Sequence, residues 1–314
     1  MTTELPAPGS LWLDTAPAPD RAGGPLPVEA EVVVLGAGIA GLTTAFLLAQ
    51  AGREVLVLEA GRVAGGVSGH TTAKVSAQHA LIYDKLTKEH GQDMAAAYGA
   101  SQTAALDWLA ATAHSLGIEC ELVRADSHVY TTDESRVGDL QAEADAAAAV
   151  GLPATFHDDL DFPVPVAAAV RFAAQARFHP RKWLLGLADR TERLGGRIVE
   201  GVRATGVAGS DPTVVRTTQG SVQAGQVVVA THYPILDRGL FFARLDPVRD
   251  LVVAGPVPDG LTLRGMYLDA DTHHSVRVAG TETDPLLVVG GEHYRVGERV
   301  DVEGRYARLA DWAR

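Results

Sequence analysis

Six residues, Gly36-Ala37-Gly38-Ile39-Ala40-Gly41, carry the G-x-G-x-x-G spacing between a short apolar run and a stretch rich in alanine and leucine. At a strand-to-helix turn the three glycines play different parts. Gly36 permits the tight turn, Gly38 lets the backbone approach a pyrophosphate, and Gly41 lets the helix lie close to the strand. The helix start, with Ile39 and Ala40 in its first turn, then offers free N–H groups and the positive end of the helix dipole to phosphates. Eighteen positions after Gly41, Glu59 closes the next apolar run. A carboxylate there can accept both hydroxyls of a ribose, and it disfavours a 2′-phosphate. The chemistry implied is the binding of an adenine dinucleotide, and the fingerprint alone does not separate NAD from FAD.

Other chemistry-bearing residues are fewer. In His273-His274-Ser275-Val276-Arg277-Val278, read as a strand, period 2 puts Ser275 and Arg277 on one face and Val276 and Val278 on the other. If that polar face lines a cavity, Arg277 could hold a carboxylate bidentately, with His274 as a further catalytic candidate; a solvated outer face is the alternative. The 11 histidines show no metal-ligand spacing, and neighbours such as His273 and His274 would point to opposite faces of a strand, so no metal site is expected. Cys120, the one cysteine, reads as a small buried apolar residue, and Asp158, Asp159 and Asp161 as a solvated loop. No G-x-S-x-G elbow is present, which removes the commonest hydrolase arrangement.

The elements that must position these residues follow from pattern. Residues 1–30 are rich in Pro, Ala and Gly without a period and read as an irregular arm, with Leu11, Trp12 and Leu13 as a packing anchor. Order is expected from Glu31. Val32 to Leu35 reads as a strand buried on both faces, Ala40 to Gln50 as a helix stopped by Gly52, and Glu54 to Leu58 as a second strand, which together make a βαβ unit. Helices are expected at Asp93–Leu116, at Glu134–Val150 with Thr132 or Asp133 as cap, and after Pro180 through Leu194. Everything after Gly196 reads as strand and turn, in segments 197–200, 214–218, 227–230, 248–253, 275–278 and 286–289. The expected order is βαβ, then helices, then strands.

Composition bounds what this frame can do. With 27 Lys+Arg against 39 Asp+Glu the formal charge is −12, which argues against a nucleic-acid partner. Hydrophobic residues at 46% predict a packed core, and one cysteine allows neither an internal disulfide nor a cysteine-built zinc or iron–sulfur site. No stretch reaches the roughly 18 apolar residues of a membrane span, and no basic start leads into an apolar run. A cytoplasmic protein without membrane contact is expected.

Several later segments resemble flavoproteins of the glutathione-reductase-like superfamily. Ala60-Gly61-Arg62-Val63-Ala64-Gly65-Gly66 resembles the loop laid along the FAD pyrophosphate and ribityl chain; Val227 to Thr231 resembles the second FAD signature, with Ala230 and Thr231 near the pyrophosphate; and Gly195 to Val202 resembles the strand pair whose backbone around Val202 meets adenine. There is no second G-x-G-x-x-G, so a separate NAD(P)H domain is not expected. Within that superfamily the chain resembles the D-amino-acid-oxidase-like (DAO) FAD-dependent oxidoreductases, and most of all the bacterial type in which such a module precedes a Rieske [2Fe–2S] domain. The resembling segments are 10–13, 69–79, 81–86, 175–180 and 289–293.

The resemblance implies an α/β fold: a Rossmann-like FAD-binding domain of glutathione-reductase type, with an interleaved α+β substrate domain on a mixed or antiparallel sheet. Residues 31–80 and 165–235 are expected to build the first, residues 81–164 and 236–314 the second. It implies oxidation of a C–N bond in an amine or amino acid, with hydride passing to flavin N5. It places His70 to His79 beside the flavin ring, so that Thr71, Thr72 and Lys74 could bond the flavin or its phosphates or could begin a helix. Some relatives attach flavin through a histidine in this region, which makes His70 the candidate for a covalent link. Members of this type continue beyond a segment like Ala310-Asp311-Trp312, so either the chain is truncated or another polypeptide supplies the rest. A flavin site incomplete on the ring side and an electron-transfer partner with a [2Fe–2S] centre are then expected. A non-catalytic flavin-binding or assembly subunit and an NAD-linked dehydrogenase are the competing functions.

Overall fold

Strand β1 (Glu29–Leu35) is apolar on both faces, with Val32 to Leu35 at most 1% exposed, and such a strand needs cover on both sides. The computed structural model describes residues 9–18, 21, 24–236 and 239–314, and it divides the chain into two units, each drawn from separated stretches. The first comprises the described residues of Pro6–Thr71 and Pro180–Asp246, the second those of Thr72–His179 and Pro247–Arg314.

In the first unit β1 lies between β2 (Val55–Leu58) and β10 (Gly220–Val229), and β7 (Arg197–Val199) pairs with β2, all four in parallel. A meander of β8 (Ala204–Ala208) and β9 (Thr213–Thr217) extends the sheet antiparallel from β10. Helix α2 (Ile39–Gln50) buries Leu42, Ala45, Phe46 and Ala49 at helical spacing. Helix α6 (Pro180–Arg193) packs on it, opening on a proline whose fixed φ suits the first helical position and burying Trp183, Leu184 and Leu187. It stops one residue short of Leu194, which stands 49% exposed. The expected arm contains a short helix, α1 (Leu11–Thr15), and of its apolar trio Trp12 is the buried one; its indole N–H donates to the Thr71 carbonyl at 2.7 Å. Residues 1–8, 19, 20, 22 and 23 of that arm lie outside the described residues.

The second unit is built on an eight-stranded sheet. Its order is β11 (Val248–Pro256), β14 (Pro285–Arg295), β13 (Ser275–Gly280), β12 (Met266–Asp269), β4 (Val123–Thr131), β6 (Ala168–Arg177) and β3 (Lys74–Val75), with β5 (Ala154–His157) also paired to β6. Of these pairings only that of β12 with β4 is parallel. Helices α3 (Tyr83–His90), α4 (Gln92–Leu116) and α5 (Val137–Ala149) contribute Tyr83, Ala95, Leu140 and Ala144 to a core with Val170 and Phe172 of β6. Helix α7 (Val302–Ala313) adds Leu309 to a second core with Tyr130, Tyr267, Val276 and Val289. The fold is thus α/β, a Rossmann-like sheet and a mixed-sheet α+β unit interleaved in sequence. No helix among the described residues is long and apolar enough to cross a membrane.

Two features correct the expected order. Strands β4, β5 and β6 lie among the helices, and the chain closes on α7, where strand and turn were expected. Strand β6, Ala-Ala-Val-Arg-Phe-Ala-Ala-Gln-Ala-Arg, belongs to the second unit's sheet, whereas residues 165–235 were read as one dinucleotide-binding stretch. Its alanines have little intrinsic strand preference, and pairing with β4 on one side and β3 and β5 on the other decides its conformation.

Helix α3 has no side-chain cap of its own. Glu143 of α5, fully buried, supplies one: Oε1 accepts from the N–H groups of Ile82 and Tyr83 at 2.9 and 3.0 Å, and Oε2 from Asp84 at 2.9 Å. Its charge also faces the positive end of the helix. Glu143→Ala orphans three donors, that of Tyr83 buried and those of Ile82 and Asp84 partly buried, and is expected to cost about 2–4 kcal/mol in urea unfolding, with Glu143→Gln in between. A loss under about 0.5 kcal/mol would mean that water reaches these N–H groups in the folded protein.

Candidate functional site

Strand β1 delivers the chain to Gly36, whose φ of 105° lies in the left-handed region and whose N–H donates to the Leu58 carbonyl at 2.8 Å. A Cβ on Gly36 would run into the Ala230 carbonyl oxygen, and one on Gly41 into the carbonyl oxygen of Gly36. Helix α2 can therefore begin against the end of β1 only because position 41 has no side chain. Gly38, the N-cap, offers no capping group either. The protein accepts two N–H groups of this turn: that of Ala37 goes to Glu59 Oε2 at 2.7 Å and that of Ile39 to Ser68 Oγ at 3.1 Å. Among the described residues nothing accepts from the N–H groups of Gly38, Ala40 or Gly41. A helix start with unfilled donors and only the small Ser68 hydroxyl beside them fits an anion such as a diphosphate.

Glu59 sits at the end of β2 with both carboxylate oxygens oriented by main-chain N–H groups, Oε2 by Ala37 and Oε1 by Gly61 at 2.7 Å. A carboxylate has about four lone-pair sites, so two bonds leave capacity for hydroxyl donors. The turn and Glu59 share one cleft of about 810 Å³. Gly36, Gly38, Ile39, Ala40, Glu59, Ala60, Arg62, Gly66, Val202, Ala230 and Thr231 all line it. So do residues that sequence reasoning missed, notably Ser68, Arg203, Tyr233 and Ile235. Ser68 carried no signal, because a hydroxyl in a short turn has no characteristic spacing.

Gly41 does not line the cleft; it acts behind it, as the point of closest approach between α2 and β1. His70 is exposed and outside the lining, its Nδ1–H donating to the Gly66 carbonyl at 2.9 Å. Thr71 also lies outside the lining, and its carbonyl receives the Trp12 indole. Thr72 and Lys74 belong to the second unit.

There Thr72 packs on β14, where its Cγ2 would lie 3.1 Å from a Cβ on Gly290. Period 2 does put Ser275 and Arg277 on one face of β13, but that face is not solvated: the two are 8% and 2% exposed. Arg277 donates through Nε to the Thr72 carbonyl, through Nη1 to Val278 at 3.1 Å and through Nη2 to Phe178 at 3.4 Å. Burial, with the charge of Arg177 next, pulls its pKa below the ordinary guanidinium value. His273 and His274 precede β13 and lie in a loop, not on opposite faces of a strand. The Thr272 hydroxyl donates to Asp269 at 2.8 Å, so it accepts from Nδ1–H of His274, whose ring stacks on Trp312 with centroids 4.5 Å apart. Cys120 is buried as expected, and burial pushes its thiol up to about 11.

Lys74, partly buried, is held at about 8 by burial and then by the charge of Arg277. An unfolded chain returns a lysine to roughly 10.4, so between these limits the folded state binds fewer protons. Stability is therefore expected to rise as pH goes from about 8 toward 10, by about 1–2 kcal/mol in urea unfolding. Lys74→Met should flatten that rise; equal pH slopes for the two proteins would place the ammonium in water. In the cleft, Gly41→Ala is expected to raise the Kd for FAD at least tenfold in a fluorescence-quenching titration, and an unchanged Kd would mean that α2 can retreat without disturbing its free N–H groups.

Comparisons with known proteins bear on the family and the fold. The family model for FAD dependent oxidoreductases, DAO, matches residues 31–314. YhfW of Bacillus subtilis (strain 168), which carries the name of a Rieske 2Fe-2S iron-sulfur protein, is 30% identical over 310 residues, 98% of this chain and 61% of that protein. Gamma-glutamylputrescine oxidoreductase of Escherichia coli (strain K12) is 27% identical over 215 residues, 65% of this chain and 49% of that protein. The chain thus spans about half to three-fifths of the length of these two relatives. Among solved structures, glycine oxidase from Geobacillus kaustophilus superposes with a TM-score of 0.70 at 19% identity, over 91% of this chain and 78% of that one. L-proline dehydrogenase from P. horikoshii gives 0.68 at 17% identity, again over 91% and 78%. At such identities the superpositions speak for the fold. The family match also decides between the two dinucleotides: this chain belongs to the DAO family of FAD dependent oxidoreductases, and its cofactor is FAD.

Proposed function

We propose that the protein oxidises a C–N bond of an amine or amino acid, with its first unit as FAD-binding domain and its second as substrate domain. The observation that carries this reading is the pairing of unfilled N–H donors at the start of α2 with the oriented Glu59 carboxylate in one cleft. In this reading the N–H groups of Gly38 and Ala40 hold the diphosphate, Gly41 lets α2 come close enough for them to do so, and Glu59 holds the adenosine ribose. Ala60 and Val202 border the adenine, and Arg62, Gly66, Ala230 and Thr231 follow the pyrophosphate. His70, Thr71, Thr72 and Lys74 lead toward the ring. Bound FAD supplies the hydride acceptor, so the chain's own residues need mainly to bind and orient. The names of gamma-glutamylputrescine oxidoreductase, glycine oxidase and L-proline dehydrogenase support an amine or amino-acid substrate. The likeness to YhfW supports a [2Fe–2S] centre as electron acceptor.

The purified protein is expected to be yellow, to carry FAD, and to bleach at about 450 nm when titrated anaerobically with primary or secondary amines and amino acids. Failure to take up FAD would overturn the reading. Yellow protein that none of these compounds bleaches would favour a flavin-binding or assembly subunit instead.

A further inference from the structure

Glu200 follows β7 and does not line the cleft, yet its side chain is only 8% exposed and two of its three partners, Arg62 and Val63, belong to the loop that forms the cleft wall. Oε1 accepts from the Val63 N–H at 2.7 Å, and Oε2 accepts from the Arg21 N–H at 3.1 Å and lies 3.1 Å from Arg62 Nε. The carbonyl of the same Val63 accepts from Arg181 Nη1 at 3.0 Å, and Arg181, 6% exposed, also donates through Nε to Ala16 at 2.7 Å. One residue, itself 1% exposed, is thus gripped at its N–H by a buried acid and at its carbonyl by a buried guanidinium. The chain then runs through Ala64, Gly65 and Gly66 along the cleft, with the Ala64 N–H bonded to the Ala37 carbonyl at 3.0 Å. That bond sets the loop against the glycine turn, on the side of the free N–H donors. Arg62 is the cation in this wall; Nη2 donates to Ala18 at 3.1 Å and Nε faces Glu200, which fixes how its charge is presented.

We propose that Glu200 is a positioning residue for the phosphate-binding wall of the cleft: it holds the Arg62–Gly66 loop and the Arg62 guanidinium in place, and it sets affinity for the diphosphate but not for the nucleoside. The inference rests on the FAD reading of the cleft and adds to it a residue that touches no ligand. Three physical points support it. The Val63 N–H is buried, so losing its acceptor displaces the loop instead of merely exposing a donor to water. Arg62 loses the carboxylate that orients it, and a long side chain released from such a partner spreads over its rotamers. The Glu59 carboxylate, by contrast, takes its orientation from the N–H groups of Ala37 and Gly61, neither of which bonds the Glu200 side chain, and its main chain is held by Val199 and Val202.

The test compares FAD, ADP and adenosine as probes in wild type, Glu200→Ala and Glu200→Gln, by calorimetry and FAD fluorescence. Wild type must bind FAD and ADP; if it binds neither, the reading of the cleft fails, not the role of Glu200. Given that binding, Glu200→Ala is expected to weaken FAD and ADP at least tenfold and adenosine less than twofold. Glu200→Gln, which keeps an acceptor for Val63 but removes the charge facing Arg62, should fall between. In a double-mutant cycle, adding Arg62→Ala to Glu200→Ala should cost less than it does alone. Unchanged ADP affinity in both Glu200 variants, or an equal loss for ADP and adenosine, would overturn the proposal. The second outcome marks Glu200 as a general structural residue. If the alanine variant does not fold, the ADP-to-adenosine comparison in Glu200→Gln decides between the same outcomes.

Discussion

The contact between position 41 and the carbonyl oxygen of Gly36 governs the candidate site. With no Cβ at 41, α2 begins in contact with the end of β1, and the first turn of the helix brings its N–H groups to the carboxyl edge of the parallel strands. The four leading N–H groups of any helix lack intrahelical partners. Here the protein accepts from one of them, Ile39, through Ser68, while Glu59 takes the N–H of Ala37 just before the helix, and Gly38 and Ala40 are left to whatever enters the cleft. In the proposed reading, binding satisfies donors that folding does not, and the preference for an anion originates there. Glu59 serves both halves of the arrangement, since the bond that orients its carboxylate also removes one donor from the same turn.

The loop beside that turn is held from outside the βαβ unit. Ser10 Oγ donates to the Gly69 carbonyl, Trp12 to Thr71, and Arg181 to both Ala16 and Val63. Residues 10–18, together with α6, therefore fix the far side of the loop that carries Arg62 and Ser68. A proline-rich arm with a single buried tryptophan acts as part of the cleft's scaffold.

How much of this could be read in advance depended on whether the determining interaction was local. The β1–α2–β2 unit was legible because burial on both faces leaves an uninterrupted Val-Val-Val-Leu run and because close approach demands glycine at fixed offsets. The position of Glu59 was legible for the same reason. Strand β6 was not, since its alanines are pinned by neighbours distant in sequence. Helix α7 was missed because a glycine, Gly304, stands in its first turn and its cap, Asp301, follows a turn-rich stretch. Glu143, Glu200 and Arg181 gave no signal at all. Each works on main-chain groups more than fifty positions away, and a lone charged residue on a helix or after a strand looks like a solvated one until the fold is known.

Arg277 shows the same limit in a sharper form. Alternation along β13 placed it correctly beside Ser275, but side-chain period says nothing about what lies opposite. What lies opposite are the carbonyls of Thr72 and Phe178, each within two residues of a point where the chain passes from one unit to the other. The two passages also bond to each other, Phe178 N–H to the Ala73 carbonyl at 3.3 Å. A planar guanidinium with five donors suits that position, because it can bind several carbonyls of converging strands at once, which an ammonium does less well. Taking such a charge out of water is costly, and the cost is tolerable only where every donor direction meets an acceptor. The geometry of Arg277 is thus that of a tie between the two chain passages, and the burial that makes it a good tie is what lowers its pKa and, through its charge, that of Lys74.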